Sequence, residues 1–164
     1  MTEEVRSREE QIVVFELSGQ IYGVGIADVW EIIRMEKITR VPKAPEFVEG
    51  IINLRGRIVP IIDLRKRFHL PEGEQTKSSR IIIVQVGEMT VGMIVDAVHE
   101  VLSVSMDSMK PPPPVVGGVD AEFLRGIVLR DDRLIIMLNL DKVLQKDEQE
   151  QLRETQDILK RAAQ

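Results

Sequence analysis

The chain contains no cysteine among its 164 residues, which excludes disulfide frameworks, thiolate catalysis and cysteine-based zinc sites. The same absence fits a cytoplasmic setting. Aromatic residues make up only 4% of the sequence, too few for platforms on which bases or sugars stack. No apolar run approaches the ~20 residues that a membrane-spanning helix needs. The stretch from Met1 to Gln11 is charged and lacks the apolar segment of a secretory signal. A net charge of −5 argues against a nucleic-acid binder, because a phosphate backbone demands a basic surface. What is present is a soluble, acidic chain with 43% apolar residues, enough for one domain, or two small ones sharing a core, without a metal or disulfides.

Residues 1–10 are polar and read as a flexible N-terminus. The β-rich run Ile12 to Leu17, the turn Ser18-Gly19-Gln20 and the return Ile21 to Ile26 predict a hairpin. A short helix is expected next. Asp28 offers an N-cap, Glu31 stands at capping-box spacing, and Val29, Ile32 and Ile33 share one helical face with Trp30 and Arg34 beside it. The prolines of Val41-Pro42-Lys43-Ala44-Pro45 predict an extended linker. Gly50 to Leu64 then reads as two buried strands joined by a tight turn at Arg55-Gly56-Arg57. A turn with two arginines cannot be core, so it is a presented tip. A basic helical turn from Leu64 to Phe68 and a polar connector at 71–79 follow. The segment from Leu140 onward favours helix, and Val143, Leu144, Leu152, Ile158 and Leu159 give it an apolar stripe that can dock one side.

The pattern occurs twice. At an offset of about 69 positions Gly23 falls on Gly92, Ile26 on Val95, Val29 on Val98, Glu31 on Glu100 and Ile33 on Leu102. At an offset of about 76, Phe47 falls on Phe123, Gly50 on Gly126, Ile51 on Ile127, Arg57 on Arg133, Leu64 on Leu140 and Lys66 on Lys142. The expected organisation is therefore a mainly β chain with two similar subdomains, 11–70 and 80–146, and a helical tail over 147–164. The copies part at the tip, where Arg55-Gly56 becomes Asp131-Asp132 and Pro60 becomes Ile136. The arginine tip is thus not required by the scaffold.

Catalytic and metal constellations do not emerge. His69 and His99, the only histidines, have no neighbours at triad or ligand spacing. Asp63 and Asp96 each follow an aliphatic strand, where a strand-end cap is commoner than a general base. Gly117-Gly118 is not followed by the Lys-Ser/Thr of a phosphate loop, and Pro111 to Pro114 reads as a stiff linker rather than a polyproline ligand. Three features point instead to protein binding. Arg55 is fixed on a tight turn, and arginine suits interface centres. Trp30 and Glu31 present an aromatic and an acid together. Both copies also offer sheet edges and aliphatic surface.

The run Phe47-Val48-x-Gly50-Ile-Ile-Asn53-Leu54-Arg55-Gly56-x-x-x-Pro60-x-x-Asp63-Leu64 resembles the signature of the CheW family, the coupling proteins of bacterial chemotaxis. The resemblance extends over roughly residues 11–146 and includes Tyr22-Gly23, Val29-x-Glu31-Ile32 and Val91-Gly92-x-x-Val95-Asp96-x-Val98. It implies a pair of five-stranded SH3-like barrels, with no active site, cofactor or metal. It further implies an adaptor that bridges the cytoplasmic hairpin tip of a transmembrane chemoreceptor to the regulatory domain of the histidine kinase CheA. Val29, Glu31, Gly50 and Arg55 match family positions of receptor contact, and Val98 and Val101 match positions across the same groove. Trp30, Asn53 and Gly56 complete the expected partner-binding set. A coupling protein for pilus motility would look the same, whereas charge and the lack of a polar cluster disfavour a small-barrel nucleic-acid or ligand binder.

Overall fold

The computed structural model describes residues 8–162. Strands β1 (Glu9–Leu17), β2 (Gln20–Gly25), β3 (Val29–Arg34), β4 (Val48–Leu54) and β5 (Arg57–Asp63) lead into the helical turn α1 (Leu64–Arg67). Strands β6 (Arg80–Val86), β7 (Met89–Val95) and β8 (Ala97–Ser105) follow, then the small hairpin β9 (Val115–Val116) and β10 (Val119–Asp120). Strands β11 (Leu124–Arg130) and β12 (Arg133–Leu138) lead to α2 (Leu140–Val143) and the C-terminal helix α3 (Lys146–Ala162). Of the polar segment expected over 1–10, residues 1–7 lie outside the described residues. Glu9 and Glu10 are not loose, since they already belong to β1 and pair with Ser105 and Val104.

Two five-stranded SH3-like barrels form, with strand orders β3-β6-β7-β5-β4 and β11-β12-β2-β1-β8. The duplication is therefore real, but its copies do not coincide with the barrels. Residues 11–70 and 80–146 are the two sequence repeats, and each lends its first hairpin to the other's barrel. The β6–β7 hairpin completes β3, β4 and β5, while β1–β2 completes β8, β11 and β12. The connector at 71–79 is a loop within this exchange, not a boundary between barrels. Each exchanged hairpin joins its host through a short parallel contact, Ile61↔Gly92 in one barrel and Met137↔Gly23 in the other. Those glycines are required by close approach. A Cβ on Gly92 would lie 2.6 Å from Ile61 Cδ1, and one on Gly23 would lie 2.9 Å from Met137 Sδ.

The exchange explains the unbroken aliphatic runs. Ile81 and Ile83 of β6 fill the interior of the first barrel with Ile52, Val59 and Ile61, and Ile12 and Val14 of β1 fill the second with Val128, Ile135 and Met137. The alternate residues, Ile82 and Val84 on β6 and Val13 and Phe15 on β1, enter a third and larger core shared by both barrels. Strands covered on both faces read as continuous hydrophobic runs rather than as alternation.

One expected element differs. The segment after Asp28 is the strand β3, preceded by a single helical turn at Ile26–Asp28. It pairs with β6 from Val29↔Val84 to Arg34↔Arg80. A Val-Trp-Glu-Ile-Ile run is rich in β-branched and aromatic residues, and an open edge on β6 satisfies its backbone better than an isolated helical turn would. Its burial alternates with period two, and the capping-box spacing of Asp28 and Glu31 is coincidental.

The tail docks as expected, on the first barrel. Leu152 is buried, Gln156 Nε2 donates to the carbonyl of Ile58 at 2.5 Å, and Arg67 holds Glu148 at 3.1 Å. Ile158 does not join this face and is 62% exposed.

Candidate functional site

β3 and β8 both begin where the chain crosses from one barrel to the other. Val29 and Val98, near the starts of these strands, pack on the margin of the shared core. Further along, Ile32 pairs with Ile82, and Val101 pairs with Val13. Paired residues of adjacent strands project from the same face, and Ile82 and Val13 belong to the shared core. Ile32 and Val101 thus extend that core outward into solvent, 39% and 49% exposed. The seam where the barrels share a core thus presents exposed apolar residues from both, Ile32 from one and Val101 from the other.

The β4–β5 turn reaches the edge strand β3 of the same barrel. Arg55 and Gly56 both take positive φ, 53° and 88°, as a two-residue hairpin turn of right-handed strands requires. Asn53 Oδ1 accepts a hydrogen bond from the Gly56 N–H at 2.8 Å and fixes the turn. Such turns favour Asn or Gly at their centre, and an arginine there runs against local preference. The side chain is therefore present for what it touches. Its Nη2 is ion-paired with Glu31 Oε1, and Nη1 lies 3.4 Å from Oε2. Hydrogen bonding to Glu31 and the charge of that carboxylate raise the Arg55 pKa further above its ordinary value. Arg57 lies over the Trp30 ring at 5.0 Å, a cation–π contact, and Trp30 remains 59% exposed.

Of the expected set, the structure brings Glu31 to Arg55 and Asn53 to Gly56, and sets Val29 and Val98 on the shared core. Trp30 and Glu31 sit on an edge strand, not a helix, and Arg55 is already paired within the chain. Gly50 is buried rather than presented. Its φ is +148°, and a Cβ there would lie 2.1 Å from the Thr39 carbonyl oxygen, so it lets β4 close against that strand-like segment. Ile32, exposed beside Val29, and Arg57, over Trp30, lie next to members of the expected set without belonging to it. The repeat carried the signal, because Val101 falls on Ile32 at the same offset that sets Val98 on Val29.

The remaining polar features are structural. Asp63 caps α1, accepting from the Arg65 N–H at 2.9 Å. Asp96 accepts from the Ser18 N–H at 2.8 Å and from Arg65 Nη2 at 2.6 Å. Gly117 and Gly118 form the turn of the β9–β10 hairpin. Among the described residues no group of His, Asp and Glu is placed to hold a metal, and no helix is long and apolar enough to cross a membrane.

Comparison with known proteins agrees with this geometry. Residues 11–148 match the CheW-like domain. The chain is 37% identical over 147 residues to the chemotaxis protein CheW of Bacillus subtilis, spanning 90% of this chain and 94% of that one. It is 35% identical over 152 residues to the chemotaxis protein CheW of Treponema pallidum, spanning 90% and 89%. The crystal structure of the scaffolding protein TtCheW from Thermoanaerobacter tengcongensis superposes with a TM-score of 0.79 at 46% identity, covering 85% of this chain and 90% of that one. Signature, repeat and barrel pair converge, and the chain belongs to the CheW family.

Proposed function

We propose that this protein is a non-enzymatic, cytoplasmic adaptor of chemotaxis that couples the hairpin tip of a transmembrane chemoreceptor to the regulatory domain of the histidine kinase CheA. The observation that carries this reading is the seam between the barrels. Val29 and Val98 pack on the shared core there, Ile32 and Val101 stand exposed on the same strands, and Glu31 on β3 is paired with Arg55. A solvent-facing apolar surface with charged side chains on the same edge strands suits an amphipathic helix laid on it by its apolar face. The scaffold needs neither nucleic acid nor insertion into a bilayer for this task.

Signalling through such a part requires only that receptor and kinase states bias each other through shared contacts. The two barrels share one large core, so a partner on one surface and a partner on another act on a single packed body. The kinase regulatory domain is itself a CheW-like double barrel in this family's scheme, and barrel-to-barrel pairing leaves the seam free for the receptor. The decisive experiment is size-exclusion chromatography of the purified chain with a soluble receptor-tip fragment and a CheA regulatory domain. Co-elution of all three supports coupling. Binding of neither partner, with the chain folded by circular dichroism, refutes it.

A further inference from the structure

Each barrel is closed by the segment that follows its edge strand. The chain leaving β3 pairs with β4, the opposite end of the first sheet, and the chain leaving β8 pairs with β11, the opposite end of the second. Thr39 exchanges two backbone hydrogen bonds with Ile51, at 2.9 Å and 2.8 Å, and Lys110 exchanges two with Ile127, both at 2.8 Å. These clasps repeat one another at a single offset, with Met35 falling on Met106, Ile38 on Met109 and Thr39 on Lys110. Met35 and Ile38 pack on the interior of the first barrel, and Met106 and Met109 on that of the second. Gly50 and Gly126 make room for them. A Cβ on Gly50 would lie 2.9 Å from Ile38 Cγ2, and one on Gly126 would lie 2.7 Å from Met109 Cγ and 3.1 Å from its Sδ.

The clasps differ in chemistry at the step next to the bridging residue. Ile38 is a hydrocarbon and inert to mild oxidants, whereas Met109 carries a thioether. The chain has no cysteine, so methionine is its one sulfur-bearing side chain. Met89, Met93 and Met137 are shielded in the cores. Met35, Met106 and Met109 are only partly buried. Among the described residues, every partly exposed methionine therefore lies on a clasp, and the second clasp holds two of the three.

We propose that Met109 is a site of reversible oxidation by peroxide, and that its sulfoxide loosens the clasp of the second barrel more than the first clasp is loosened. The thioether sulfur attacks one peroxide oxygen. An S–O bond forms, the O–O bond breaks, the sulfur loses two electrons, and the other peroxide oxygen leaves as water. The product is polar and chiral where the thioether was apolar, at a position that packs on an apolar core. Burying such a group without a hydrogen-bond partner is unfavourable, so the segment lifts from the barrel and the Lys110–Ile127 bridge opens more often. Met35 and Met106 occupy the same step of the two clasps, so their oxidation burdens both barrels alike, and the first barrel is the internal control.

The test treats the full chain with dilute hydrogen peroxide, locates sulfoxides by peptide mass mapping, and follows amide exchange by nuclear magnetic resonance. Exchange at the Lys110 and Ile127 amides is expected to speed up about tenfold, the scale of one polar group forced among apolar neighbours, with a smaller change at Thr39 and Ile51. Methionine sulfoxide reductases of both epimer specificities should restore slow exchange. Met109→Ile copies the first clasp and should remove the excess, and Met109→Leu serves should the isoleucine variant fail to fold. Peroxide that oxidises Met35 while sparing Met109 overturns the proposal. So does a sulfoxide at Met109 that leaves exchange at Lys110 and Ile127 unchanged, or an equal rise in the folded Met109 variant.

Discussion

Arg55, on the β4–β5 turn, is ion-paired with Glu31 on β3, so the residue that the sequence marks as a presented tip is held by its own chain. The pair joins the edge strand β3 to the β4–β5 hairpin of the same barrel. A receptor that engages Arg55 must share it with Glu31 or displace that carboxylate. The guanidinium is planar and offers a rigid fork of donors, and so can hold Glu31 and a second acceptor in fixed geometry.

Arg55→Asn separates turn from contact. Asparagine tolerates positive φ and is favoured in this turn, so the folded state should be at least as stable, with a melting temperature equal to or slightly above that of wild type. Receptor-tip affinity should fall about tenfold or more, as when one partner of a desolvated charged contact is removed. Calorimetric melting together with titration calorimetry checks both halves. A melting temperature well below wild type would mean that Arg55 serves the scaffold.

Arg67 ties the two sequence copies together. Its guanidinium lies 4.5 Å from the Phe47 ring centroid and 5.1 Å from that of Phe123, the repeat partner of Phe47. Its Nε donates to the Val143 carbonyl at 2.6 Å, and Nη2 lies 3.1 Å from Glu148 at the start of α3. Arg67→Ala would leave a partly buried carboxylate without its partner and should cost about 3 kcal/mol, a fall of roughly 6–12 °C in melting temperature for a chain of this size. Arg67→Lys should recover little, since an ammonium cannot lie flat between two rings. Thermal unfolding of the two variants side by side is the check.

Three glycines at points of close approach should respond in graded fashion. Gly50→Ala sets a Cβ against backbone, 2.1 Å from the Thr39 oxygen, in a conformation that alanine avoids, and should cost upward of ~3 kcal/mol. Gly92→Ala meets Ile61 at 2.6 Å and Ile81 at 2.7 Å, side-chain ends that can shift, and should cost about 1–3 kcal/mol. Gly23→Ala, with its nearest atoms at 2.9 Å and 3.0 Å, should cost least. Urea midpoints at constant slope would give the order.

The repeat was legible because Gly23, Gly50 and Phe47 each recur where backbone approach or ring packing demands them. The exchange of hairpins was not, since the local pattern of β1 and β6 is the same whichever barrel they complete. β3 differs from the helix that its local pattern predicts for a related reason. Val29, Ile32 and Ile33 fit a helical face, and only pairing with β6, about 50 residues away in the chain, decides for strand. The repeat itself contained the correction, because Ala97–Ser105 is strand and aligns with Val29–Arg34. Arg55 is legible as an exposed turn residue, but its pairing with Glu31 depends on which edge the turn faces, which no sequence spacing states.

Asp63 and Asn139 occupy the same step of the two repeats, and both cap a short helical turn. Asp63 accepts from the Arg65 N–H at 2.9 Å, and Asn139 Oδ1 from the Asp141 N–H at 3.2 Å. Burial is the main cause that raises the Asp63 pKa above its ordinary 3.8, partly offset by the cap hydrogen bonds from Lys66 and Arg65. A carboxyl with a raised folded-state pKa binds its proton more tightly in the folded protein than in the unfolded chain. Its stabilising share is therefore complete below the unfolded value and is lost as pH rises through the folded one. Asn139 shows that a neutral amide serves the same cap, so Asp63→Asn should keep the helical turn and remove this loss. The variant should gain stability relative to wild type as pH rises from about 4, the ordinary carboxylate value, towards neutrality. Urea unfolding across that range measures the difference, and a gap that stays flat or narrows with rising pH would show that the Asp63 charge is not penalised in the folded protein.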